Sequence, residues 1–187
     1  MPSFTKKAIV ESFLRLAGKK ALEKITVRDI VDDCGINRNT FYYYFQDIYA
    51  VLEELCHHLM GRLPTDKSLA ETVETYFRLI AEFNANHPKA VRGLLASLGH
   101  GGLERYFAAD FDRMITDCLL RGKRSEPLPD GLTAHLTVFI RHAVFGYCFD
   151  YLRCDRPEAL DTAVSDLIAI LGHIEEMTSC SEKSGKI

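Results

Sequence analysis

Residues 25–45 read ITVRDIVDDCGINRNTFYYYF. Thr26 is followed three residues later by Asp29, the reciprocal pattern in which a hydroxyl and an acid close the first turn of a helix. Val27, Ile30 and Val31 form an apolar stripe, Gly35 supplies a left-handed stop, and Asn37 is placed to cap another helix at once. Two short helices joined by about four residues that include a glycine are the helix-turn-helix arrangement.

The second helix of the pair carries five consecutive aromatic residues, Phe41 to Phe45, too many for one buried face. At about 100° per residue, Phe41, Tyr44 and Phe45 fall together and predict a core anchor. Asn39, Tyr42 and Tyr43 fall on the opposite side with Arg38 at its edge, which predicts a solvent face of amide, hydroxyl and guanidinium groups. This helix is expected from about Asn37 to Phe45.

Helical spacing continues in both directions, and no alternating strand pattern or hairpin signal occurs. Upstream, Ile9, Phe13, Leu16 and Ala17 line a first helix weakened at its end by Gly18, with Lys19, Lys20 and Lys24 following. Downstream, Asp47 caps a fourth helix bearing Val51, Leu52 and Leu55. GRLPTDKS, from residue 61, is a polar junction, and helices are expected at 69–86, 88–98, 101–121, 131–154 and 157–177. LGHGG at 98–102 reads as a flexible break, RGKRSEPLPDG at 121–131 as a mobile loop, and 179–187 as a disordered tail. The expected fold is all-α: a head at 1–55 holding the helix-turn-helix and a helical bundle at 56–178, about nine helices in total.

Charge is distributed unevenly. Residues 1–45 hold eight Lys/Arg and five Asp/Glu, a net +3 in a chain of net −3, so the remainder carries −6. A basic head on an acidic body suits a molecule that meets a polyanion at one end. Nothing approaches the roughly 20 apolar residues of a membrane span, and MPSFTKKAIVESF lacks the features of a secretion signal, so a cytoplasmic location is expected. The six cysteines, at 34, 56, 118, 148, 154 and 180, are scattered without a C-x-x-C pair, consistent with reduced thiols.

The run from Ile25 to Leu55 resembles the DNA-binding signature of TetR-family transcriptional regulators: a Thr-capped helix, a glycine turn, then T-[FL]-Y-x-x-F at Thr40–Phe45. That resemblance implies a three-helix DNA-binding head and a body that binds a small-molecule effector and pairs in a homodimer. It further implies phosphate contacts from Thr26 and Arg28, base or phosphate contacts from Arg38, Asn39 and Thr40, and backbone contacts from Tyr42 and Tyr43. Asn37 joins the DNA-binding set. The residue types suit these roles, since Arg pairs with guanine, Asn with adenine, and tyrosine hydroxyls with phosphate. The partner implied is a palindromic double-stranded operator, and repression is the default family action. One departure stands out: where family members commonly carry a lysine just after the fourth-helix cap, this chain has Ile48. Loss of that cation leaves an alternative, a helical dimeric interaction module or partner-dependent co-activator with weakened DNA binding.

In the body, Arg78, Tyr106, Phe107, Phe111, His142 and Tyr147 are the candidate effector-binding residues, aromatic surface with a few polar groups. The helices at 131–154 and 157–177 are so apolar that a symmetric partner is expected to cover part of them, through Phe145, Phe149, Leu160, Val164, Leu167, Ile168 and Leu171. Cys56, His57 and His58 diverge by about 100° each on one helix and are not expected to share a metal. No catalytic motif, cofactor pattern or nucleotide-binding loop is present, and an enzyme is not expected.

Overall fold

The structure, a computed structural model, describes residues 4–121, 131–153 and 158–179. Among these residues every regular element is helical: α1 (Phe4–Ala17), a 3₁₀ turn (Leu22–Lys24), α2 (Val27–Cys34), α3 (Arg38–Tyr44), α4 (Ile48–Met60), α5 (Leu69–Asn86), α6 (Pro88–Arg121), α7 (Leu132–Arg153) and α8 (Glu158–Ser179). The fold is an N-terminal helix-turn-helix head followed by a helical C-terminal part. The expected loop at 122–130 and the tail at 180–187 lie outside the described residues, whereas Ser179 closes α8.

The chain divides into two compact units. The first comprises the residues up to Gly61 together with Glu82–Phe107, and the second Arg62–Ala81 together with the residues from Ala108 onward. Thus α5 and α6 each contribute to both, and residues far downstream in sequence complete the head.

In the first unit α1 packs on α2 and α4, and α2 on α3. Ile9, Phe13, Leu22, Ile25, Ile30, Phe41, Val51 and Leu52 make its interior. Leu16 is only half-buried, while Leu14, outside the expected stripe, is buried. Leu14 and Ala90 of α6 line one pocket, and the local pattern of α1 carries no sign of that helix. Ser12 is fully buried, its hydroxyl donating to the Ile30 carbonyl at 3.3 Å, which satisfies a polar group at the α1–α2 crossing.

In the second unit, Tyr76 of α5, Phe111 of α6 and Phe145 of α7 form an aromatic cluster, with ring centroids 5.0 Å apart for Tyr76–Phe111 and 5.1 Å for Phe111–Phe145. The Tyr76 hydroxyl points to Cys148 Sγ at 3.8 Å, and burial pushes that thiol up to about 12. Glu175 of α8 accepts from the backbone N–H groups of Leu69, at 2.6 Å, and Ala70, at 3.4 Å, capping the start of α5 from across the unit.

Helix α6 runs from Pro88 to Arg121, but within it Gly99 adopts φ 63°, ψ −172°, a conformation open essentially to glycine alone. The helix therefore breaks within the LGHGG stretch, leaving an initial arm at 88–98.

Candidate nucleic-acid interface

Helix α2 begins at a complete capping box. The Asp29 N–H donates to Thr26 Oγ1 at 3.2 Å, while Asp29 Oδ2 accepts from the Thr26 N–H at 2.8 Å and from its hydroxyl at 2.6 Å. Lys20 Nζ stands 2.6 Å from the same carboxylate oxygen. That lysine first, and Thr26 second, hold the Asp29 carboxyl down at about 2, against an ordinary 3.8. Arg15, 2.6 Å from Asp33 Oδ2, lowers that carboxyl likewise by hydrogen bonding. Gly35 then turns the chain at φ 70°.

Asn37 caps α3: its Oδ1 accepts from the Thr40 N–H at 2.8 Å and from the Thr40 hydroxyl at 3.1 Å. Because the Thr40 N–H can only donate, the amide atom facing it is the oxygen, so Asn37 Nδ2 is turned away with two N–H groups to offer. The same bookkeeping commits the hydroxyl protons of Thr26 and Thr40 to their caps. A phosphate oxygen accepts only, so in the free chain neither threonine has a proton to give it. Thr40 is half-buried, at the margin of the α3 face rather than its centre.

That face divides sharply. Phe41 is 0% and Phe45 4% exposed, whereas Tyr42 is 54% and Tyr43 81% exposed. Tyr44 is intermediate, Arg38 and Asn39 are exposed, and Phe45 terminates α3 in an extended conformation instead of continuing it. The outward tyrosines are propped by the anchors: Tyr42 packs edge-on against Phe41 at 5.6 Å and Tyr43 against Tyr44 at 4.9 Å. Lys6 of α1 braces the end of α3, lying 5.8 Å from the Phe45 ring centroid and 2.7 Å from Glu54 Oε1.

Arg15, Lys20 and Arg28 each stand against an acid of α2, Arg28 with Asp32 at 3.5 Å. Among the described residues no carboxylate lies within ion-pair distance of Arg38. Asp47 Oδ1 accepts from the Ala50 N–H at 2.9 Å to start α4, and Ile48, in place of the family lysine, is buried in its first turn. That position contributes to packing and not to the charged surface.

The pattern of the family described as "Bacterial regulatory proteins, tetR family" matches residues 9–55, spanning α1 to α4. The helix-turn-helix head thus carries the tetR-family DNA-binding pattern. A curated relative, the uncharacterized HTH-type transcriptional regulator YerO of Bacillus subtilis (strain 168), is 32% identical over 56 residues, 30% of this chain and 19% of that protein. The match thus spans less than a fifth of the relative's length. Among solved structures, the dihydroxyacetone kinase operon activator DhaS is similar with a TM-score of 0.66 and 17% identity, over 93% of this chain and 97% of its own. A putative TetR-family regulator from Syntrophomonas wolfei str. Goettingen gives 0.65 at 14% identity over 100% of both chains. A TetR regulator from Streptococcus agalactiae 2603V gives 0.61 at 21% identity, over 89% and 93%. At these identities the structures show the fold alone, an N-terminal helix-turn-helix followed by a helical C-terminal part.

Of the body candidates, Tyr106 and Phe107 fall in the first unit and Arg78, Phe111, His142 and Tyr147 in the second. Phe111 is fully enclosed in the aromatic cluster, Arg78 is exposed with its guanidinium on Thr75 Oγ1 at 3.2 Å, His142 is exposed, and Tyr147 is half-buried. Of the expected pairing residues, Phe145, Phe149, Leu167 and Leu171 are buried within the single chain, because the second unit's own core takes them up. Val164 and Ile168 are half-buried, and the Leu160 side chain lies outside the described set. Among the described residues, the large apolar side chains left open on these helices are Leu132, Val138 and Phe139 of α7 and Ile170 of α8, which the count of apolar residues alone did not single out. Among the described residues no helix is long and apolar enough to cross a membrane.

Proposed function

We propose that this tetR-family regulator acts as a homodimer whose two α3 helices enter successive major grooves of a palindromic operator. Arg38 and Asn39 read base edges there; Asn37 Nδ2, Arg28, Tyr42 and Tyr43 hold phosphates; and Thr26 and Thr40 serve chiefly as the caps that aim them. The observation that carries this reading is the division of α3, with Phe41 and Phe45 buried and Tyr42 and Tyr43 open beside an exposed Arg38 that no acid among the described residues neutralises.

Pairing falls to the open side of α7 and α8, around Val138, Phe139 and Ile170, with Val164 and Ile168 at its margin. A small-molecule effector bound by the helical body changes operator occupancy through its different affinities for the DNA-bound and free forms. The action is repression in the cytoplasm, without catalysis. The fold is shared with a protein named an operon activator, so the test reads both signs.

That test is fluorescence anisotropy of the full chain with DNA flanking its own gene, paired with a reporter driven by the same DNA. Saturable binding that prefers this DNA over a scrambled duplex, with reporter output rising on gene deletion, is expected. Equal or absent binding to both duplexes overturns the reading, and falling output on deletion reverses its sign.

A further inference from the structure

Three close approaches bind the initial arm of α6 to the end of α1 and the turn that follows it. A methyl group on Gly93 would collide with the carbonyl oxygen of Ala17, the last residue of α1. Four residues on, Ser97 Oγ accepts the Leu22 N–H at 3.0 Å. Four residues before, the Cβ of Lys89 would stand 3.1 Å from a Cβ on Gly18. Lys89, Gly93 and Ser97 are spaced i, i+4, i+8 and share one face of the arm.

Glycine at 93 is needed for space alone, since its φ lies in the ordinary range. Ala17 carries one of the carbonyls that a helix end leaves without an intrahelical partner, and the Gly93 hydrogen that replaces Cβ points at it, the arrangement of a weak Cα–H···O bond. The partner atom is backbone, so added bulk at 93 must move α1 or the arm itself. Downstream of Leu22 the displacement has a short path: Ile25 is buried, Thr26 caps α2, and Lys20 is clamped to Asp29.

We infer that residues 88–98 are the seat of the DNA-reading head, and that Gly93 is a positioning residue fixing how α1, and through it the α2–α3 pair, is set on α6. Resting on the DNA-reading function proposed above, this makes Gly93 a determinant of the half-site separation that the dimer accepts. The bases read within each half-site remain the business of Arg38 and Asn39. Gly99, with its φ of 63°, ends the arm and confines the clamp to these residues.

The experiment is selection of bound duplexes from a random library by the full-length chain, comparing wild type with Gly93→Ala, Ser97→Ala and Gly101→Ala. Gly101 lies on the same helix with nothing near a Cβ, so its variant controls for adding a methyl to α6. Gly93→Ala is expected to select the wild-type half-site at altered or broadened spacing and to bind the wild-type optimum roughly tenfold less tightly, the scale of one bidentate base pairing moved out of register. Ser97→Ala, which adds no bulk, shifts spacing the same way by less, and Gly101→Ala matches wild type. Wild-type spacing and affinity in both Gly93→Ala and Ser97→Ala overturn the seat while leaving DNA reading intact. If Gly93→Ala does not fold, Ser97→Ala decides alone. Failure of the wild type to enrich any sequence overturns the function beneath it.

Discussion

Lys20 Nζ and Asp29 Oδ2 stand 2.6 Å apart, joining the segment after α1 to the capping box of α2. The lysine neutralises an acid at the edge of a surface proposed to meet phosphates, and with Thr26 it lowers the Asp29 carboxyl to about 2. A carboxyl depressed on folding stabilises fully above its ordinary 3.8 and loses that contribution as pH falls through about 2. Urea unfolding between those limits should therefore show the wild type losing stability that Asp29→Asn does not lose. Parallel pH profiles would disprove the coupling.

Asn37 performs two tasks that substitution separates. Aspartate keeps the cap on Thr40 but discards the two outward N–H groups and adds negative charge, so Asn37→Asp should leave the melting temperature nearly unchanged while abolishing specific DNA binding. Asn37→Ala should lose about 1 kcal/mol of stability with the cap. Tight DNA binding by the aspartate variant would restrict Asn37 to a structural role.

Phe41 and Tyr43 are two residues apart and face opposite ways. Phe41→Ala should cost about 3 to 5 kcal/mol, as for other buried phenylalanines, and Tyr43→Ala about 0.5 kcal/mol or less. Chemical denaturation of both variants checks this, and comparable losses would mean that the α3 face is turned.

Phe139 is 63% exposed on α7. Phe139→Glu should leave protomer folding intact, within about 0.5 kcal/mol, yet shift sedimentation from dimer to monomer. A dimer unaffected by this change places the pairing surface elsewhere.

The head was legible in sequence because its signals are local. Thr26 with Asp29, Gly35, Asn37 and Asp47 each act within about four residues, and the division of Phe41 from Tyr42 and Tyr43 follows from helical period alone. What lay hidden depends on distant partners. Leu14 shares a pocket wall with Ala90 of α6, the Thr26 and Thr40 protons are committed by hydrogen bonds whose geometry no pattern displays, and Gly93 is small because Ala17 ends against it. The body deceived for the same reason: Phe145 and Leu171 read as surplus apolar surface, but Tyr76 and Phe111 already surround Phe145. The open residues Phe139 and Ile170 belong to the same two apolar helices, and only their rotation in the packed unit distinguishes them.

The central claim is that the open face of α3 reads DNA, and Arg38→Ala tests it most directly. Anisotropy of the full chain on its selected duplex and on random DNA, from about 50 to 200 mM salt, should show the variant losing about 1 to 3 kcal/mol on the selected duplex, with preference relaxed at one base pair and little change on random DNA. Affinities equal to wild type on both duplexes at every salt concentration would contradict it.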